Sequence, residues 1–148
     1  MAAASLTQYL LDTNILVHLI RKSPLGLWIA TKYGLWDPPA IPLISVVTEG
    51  EIRSLALQFG WGPVKRVAIG EMVSYFLPVS PDYPGLCDAY ARIDDFSRRN
   101  GMPMGENDVW IAATAHVMRS PLLTTDKDFA HLDPRFLTHD YIDPQSQP

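Results

Sequence analysis

The chain has 148 residues, with 12 Lys and Arg against 16 Asp and Glu, for a formal net charge of −4. Its 47% apolar and 19% charged residues describe a globular domain long enough to bury a sizeable core, which excludes a disordered chain. A pI near 5.4 argues against a protein that grips nucleic acid through a broad basic surface.

The single cysteine, Cys87, can form neither an internal disulfide nor a multi-cysteine zinc site, and suits a reducing cytoplasm. Residues 1–11 carry no charge, so they lack the basic start of a signal peptide, and Asp12 interrupts the apolar stretch. The uncharged run 38–48 holds three prolines and falls short of the roughly 20 apolar residues that span a bilayer. The expectation is a soluble, cytoplasmic protein with no membrane partner.

Thirteen prolines fence the periodic segments. Tyr9-Leu10-Leu11 reads as a buried strand ending at Asp12, followed by helices over 14–21 and 25–33. Residues 41–45 read as the next strand, 46–59 and 64–75 as helices, and 76–79 as a third strand. An amphipathic helix over 84–100 stops at Asn100-Gly101. The strongly apolar stretch 108–119 is a further helix, with strands at 122–124 and 138–142. Residues 1–142 then form one domain and 143–148 a loose tail. Short strands apolar on both faces, alternating with helices, predict an α/β fold whose parallel sheet is covered by helices. Ligands of such sheets bind beyond the carboxyl ends of the strands.

Several acids fall at that edge. Asp12 ends the first strand and can cap the helix after it, or serve as a metal ligand with Thr13 and Asn14 as polar neighbours. In Ser45-Val-Val-Thr48-Glu49-Gly-Glu51, Thr48 and Glu51 have capping-box spacing, but Ser45 can cap instead and leave Glu51 one turn deeper. Glu49 and Glu51 differ by about 200° around the helix, so only one can face the sheet edge. One of Glu106, Asn107 and Asp108 is expected to cap the apolar helix they introduce, and a carboxylate at its buried mouth is costly unless paired or metal-bound. Asp128 reads as the cap of the turn after the 122–124 strand, which leaves Asp126 without a structural task. Carboxylates converging without thiols or paired imidazoles make an all-oxygen site of the kind Mg²⁺ and Mn²⁺ prefer.

In order and type, the motifs Tyr-Leu-Leu-Asp12-Thr-Asn, Ser-Val-Val-Thr-Glu-Gly-Glu51, Asn-Asp108-Val-Trp-Ile-Ala-Ala and Leu-Leu-Thr124-Thr-Asp126-Lys-Asp-Phe resemble those of PIN-domain ribonucleases. Within that family they look most like the VapC-type toxins of toxin–antitoxin pairs, and the resemblance runs from Tyr9 to Phe129. It implies a three-layer PIN-like fold with a short, mainly parallel sheet. It also implies an endoribonuclease that uses Mg²⁺ or Mn²⁺ to hydrolyse RNA, a homodimer, and a cognate antitoxin. By carry-over Asp12, Glu51, Asp108 and Asp126 are the catalytic, metal-binding quartet, with Thr124 a supporting hydroxyl beside Asn14. Competing readings are a PIN-like RNA-processing nuclease outside any toxin pair, or a non-catalytic binding module that keeps the acids as caps.

Arg53, two residues from Glu51, and Lys127, one from Asp126, are the candidate phosphate contacts among the basic residues. Trp28 and Trp36 are candidates for a groove that receives the antitoxin. The four histidines are scattered without ligand spacing. Sixteen acids less the proposed four leaves twelve, equal to the basic residues, so the net charge is that of the site itself.

Overall fold

Successive residues on a strand point to opposite faces, and pairs of adjacent apolar residues on three short strands build two cores this way. In the computed structural model, which describes residues 7–145, the strands are β1 (Leu10–Leu11), β2 (Leu43–Ser45), β3 (Leu77–Val79), β4 (Leu122–Thr124) and β5 (His139–Tyr141). The helices are α1 (Thr13–Arg21), α2 (Pro24–Lys32), α3 (Val46–Gln58), α4 (Pro63–Tyr75), α5 (Leu86–Arg99) and α6 (Glu106–Met118), with a 3₁₀ helix over Lys127–Leu132. Leu10, Leu43 and Leu122 pack on one face against α5 and α6, meeting Ala89, Ile93, Val109 and Ala112. Leu11, Ile44 and Leu123 pack on the other against α1 to α4, meeting Ile15, Ile29, Ile52 and Ile69. The result is the three-layer arrangement expected of strands apolar on both faces.

The strand order is β3-β2-β1-β4-β5 and all four pairings are parallel. From β1 the chain builds outward through β2 to β3, then returns to place β4 and β5 on the other side of β1. The order therefore reverses between β1 and β4, and there the helices leaving the two carboxyl ends diverge and open a crevice. At the β3 edge Leu77 and Pro78 are exposed, a position where proline's missing N–H costs no ladder bond.

Local chemistry sets the element ends. Ser45 caps α3, its Oγ accepting from the Val47 amide at 3.1 Å, so the capping-box alternative through Thr48 is not used. The α6 helix starts at Glu106 rather than Asp108. Its cap is Gly105, with no side-chain cap bond, so none of the three polar residues does the expected capping. Asp108 instead occupies the third helical position. Gly26 lets α2 press onto α1: a Cβ there would stand 2.2 Å from the His18 carbonyl oxygen.

Ile142 continues β5, donating from its amide to the Thr124 carbonyl at 2.8 Å. Of the expected tail, Gln145 folds back to donate to Asp143, and residues 146–148 lie outside the described residues, as do residues 1–6. Among the described residues no helix is long and apolar enough to cross a membrane.

Candidate active site

Asp12 sits at the carboxyl end of β1, at the switch point, and is only 4% exposed. It does cap α1, its Oδ1 accepting from the Thr13 amide at 2.8 Å. The second oxygen accepts from Thr124 Oγ1 at 2.7 Å and from Asn14 Nδ2 at 3.2 Å. The cap and site readings thus hold for the same side chain, because a helix N-terminus and a switch-point crevice coincide here. Thr124 also accepts from the Asp126 amide at 3.0 Å, so one buried hydroxyl ties Asp12 to the loop that carries Asp126. Asn14 makes a second tie, accepting from the Thr125 amide at 3.3 Å.

Glu51 arrives from α3. Its Oε1 accepts from Thr13 Oγ1 at 2.7 Å and its Oε2 from Asn107 Nδ2 at 3.4 Å. Glu49 points elsewhere and pairs with Arg53 at 3.1 Å. That pairing leaves Glu51, bonded to Thr13 and Asn107, as the one of the two that turns toward the sheet edge, and it places Arg53 beside Glu49. The helical arithmetic that separates Glu49 from Glu51 separates Arg53 from Glu51 by the same angle.

Asp126 is the N-cap of the 3₁₀ helix, accepting from the Asp128 amide at 2.8 Å. The expectation that Asp128 caps this turn is therefore corrected by one helical start. Thr124 pulls the Asp126 amide inward, and that leaves the Asp126 side chain, not Asp128, over the first free N–H. Sequence reasoning also missed His139, whose Nε2 donates to the Asp126 carbonyl at 2.8 Å and fixes the loop from β5. Thr48, fully buried, and Asn107 complete the hydrogen bonding around Thr13 and Glu51.

Asp12 and Asp108 feel the acids around them. Burial, together with the charges of Asp12, Asp126, Glu51 and Asp128, pushes Asp108 up to about 6. Asp12 is raised too, chiefly by burial, against the lowering pull of the Thr124 and Thr13 hydrogen bonds. No lysine, arginine or histidine enters either balance. An all-oxygen donor set with uncompensated negative charge suits a hard divalent cation. Among the described residues the acids are not drawn into a ready-made cage of three ligands.

Two clefts flank the acids. On one side a cleft of about 710 Å³ runs from Asp108 past Lys127 to His131 and Met104. On the other a cleft of about 510 Å³ is lined by Glu51, Ser54, Gln58 and Asn107. A third hollow of about 600 Å³, near Gly85, His116, Arg119 and Pro121, lies at the opposite end of the sheet and contains none of the four acids. Trp28 packs edge-on to Tyr33 under Lys32, and Trp36 stacks on Phe76. The least covered apolar side chains are instead Leu57, Val64 and Val67, on α3 and α4.

A model of the PIN domain family matches residues 9–134. The chain is 27% identical over 126 residues to ribonuclease VapC1 of Haemophilus influenzae (strain R2866), covering 84% of this chain and 91% of that protein. To ribonuclease VapC4 of Mycobacterium tuberculosis it is 34% identical over 90 residues, covering 59% and 68%. The solved structure of VapBC-1 from nontypeable Haemophilus influenzae matches with a TM-score of 0.74 and 26% identity, over 90% of this chain and 98% of that one. With the family model spanning most of its length on this sheet, the chain belongs to the PIN-domain family.

Proposed function

We propose that the chain is a divalent-metal-dependent endoribonuclease and the toxic member of a toxin–antitoxin pair. The observation that carries this is the buried Asp12 at the switch point, with Asp108, Asp126 and Glu51 converging on it and, among the described residues, none of the four in an ion pair. Asp12, Asp108 and Asp126 would hold the ion. Bound Mg²⁺ or Mn²⁺ supplies a water of lowered pKa and charge stabilisation at the phosphate.

The chain's own residues do the rest. Thr124 and Asn14 hold Asp12 in one orientation, and both also bond to the loop of Asp126. Glu51, held by Thr13 and Asn107, either joins the ligands or orients the attacking water and takes its proton. Lys127, next to Asp126, is the cation placed to meet the phosphate backbone. Arg53 pairs with Glu49 on the other face, which favours Lys127 over it for this role.

The VapC and VapBC relatives support RNA as substrate and an antitoxin as partner. The exposed Leu57, Val64 and Val67 give that partner, or a second copy in a homodimer, an apolar surface to cover. The lone cysteine fits a cytoplasmic setting. Purified protein is expected to cleave RNA with Mn²⁺ and to stop when EDTA is added. The double variant Asp12→Asn, Asp108→Asn should keep its fold by circular dichroism and lose cleavage. Undiminished cleavage by the double variant would refute the proposal.

A further inference from the structure

Of the two clefts beside the acids, one carries a ring and a cation. The cleft on the Glu51 side combines Ser54, Gln58 and Asn107 with the apolar Val47 and Leu55. The cleft on the Asp108 side has an apolar wall, a flat ring and a cation, with Asp108 and Asp128 as its carboxylates. Its wall is Met102, Pro103 and Met104 from the loop between α5 and α6. Met102 is 53% exposed, an apolar side chain that the fold leaves uncovered, and thioethers adapt readily to flat partners.

The ring is His131, whose orientation is set twice. Its Nε2 lies 2.8 Å from the Oγ of fully buried Ser97, and its plane is parallel to that of Phe96 within 1°. Lys127 stands at the rim. It lies over the Tyr141 ring at 5.8 Å rather than in one of the helix-surface ion pairs that occupy Arg53, Arg92, Arg98 and Arg99.

Small residues line the mouth of this cleft. Gly105 is the N-cap of α6, and a Cβ on it would meet nothing within 4 Å. Ala130, on the far side, is exposed and equally small. A volume of about 710 Å³ is in the range of sites that enclose a small organic group.

We propose that this cleft seats an unpaired nucleobase of the RNA strand, adjacent to the phosphodiester that is cut. The inference rests on the endoribonuclease reading given above. Bases of single strands can be splayed out and stacked on flat side chains, histidine included, while a lysine at the rim meets the phosphate. The continuity of the cleft with Asp108 favours RNA over a protein side chain, since a strand crossing the acids must pass this opening. The base would be read by the methionine wall and His131, and the choice of cleavage site would follow from it.

The test uses short single-stranded RNAs in which each base around one cut is varied in turn, cleaved with Mn²⁺ by the wild type, Ala130→Phe and Met102→Ala. Both altered residues are exposed, and melting temperatures verify that the variants fold. The wild type is expected to prefer particular bases at one position beside the cut. Ala130→Phe, which fills the cleft, should flatten that preference and raise KM about tenfold, the worth of one stacked base. Met102→Ala should act in the same direction and less.

A wild type indifferent to base at every flanking position would overturn the inference, as would a filled variant with wild-type preference and KM. It is equally overturned if filling the cleft leaves cleavage unchanged but weakens binding of a protein partner, which would assign the cleft to that partner. Each of these outcomes leaves the nuclease reading standing. A wild type that cuts no RNA at all with Mn²⁺ instead removes the nuclease reading and this inference together.

Discussion

Thr124 serves two acids with one hydroxyl, donating to Asp12 and accepting from the Asp126 amide. Thr124→Val keeps the shape and removes both bonds. It should weaken Mn²⁺ binding by about 10- to 100-fold, the usual cost of losing a group that orients a metal ligand, as read from a Mn²⁺ titration of the melting temperature. Wild-type affinity in this variant would mean that Asp12 needs no such support. Asp108 makes a second prediction, for the metal-free protein. Its carboxyl is raised from its ordinary value to about 6, so between about pH 4 and about pH 6 the folded state holds a proton that the unfolded chain has released. Stability therefore falls as pH rises through that window and levels off above it, and Asp12, also raised, contributes with the same sign. In EDTA, Asp108→Asn should melt higher than the wild type above pH 6 and show a shallower decline. Parallel curves for the two proteins would contradict this. Asp12 was legible in the sequence because it ends an apolar run. His139 was not, since it acts on a backbone carbonyl thirteen positions earlier in the chain, a contact that exists only once β5 is paired with β4.

At the scale of elements, two glycines with opposite roles separate packing from propensity. Gly26 sits where α2 crosses the end of α1, and a methyl there would collide with the His18 carbonyl. Gly26→Ala should cost about 1–3 kcal/mol in a denaturant titration. Gly70, within α4, has open space around its Cβ position, and Gly70→Ala should stabilise by about 0.5–1 kcal/mol. Equal effects of the two substitutions would show that the α1–α2 contact is looser than described. Every helix and strand expected from periodicity is present, because short apolar runs and proline fences are local signals. The ends were harder to read. The α6 start depended on Gly105 in an extended conformation rather than on the polar residues beside it. The 3₁₀ cap depended on Thr124, which draws in the Asp126 amide only after folding. Arg53 was a matter of phase: two residues from Glu51 is close in sequence and far around a helix.

For the whole molecule, the charge balance and the strand order point to the same place. Four of the twelve basic side chains are spent on helix surfaces: Arg92, Arg98 and Arg99 pair with acids one turn earlier on α5, and Arg53 does so on α3. Such exposed pairs stabilise little. The four acids at the β1–β4 switch point take no part in these pairs, so the net charge of −4 that argues against wide contact with nucleic acid is compatible with contact at one metal-bridged edge. The alternation of strands and helices made a parallel sheet legible from sequence. The position of β4 beside β1, which brings Asp126 to Asp12 across more than a hundred residues, was a matter of topology and needed the structure. The most direct measurement is a Mn²⁺ titration in which RNA cleavage and melting temperature are followed in the same samples of wild type and Asp108→Asn. Both signals should rise together with one midpoint in the wild type, and neither should rise in the variant. Cleavage that persists in EDTA, or an undiminished Mn²⁺ response in Asp108→Asn, would contradict a catalytic site built from these four acids.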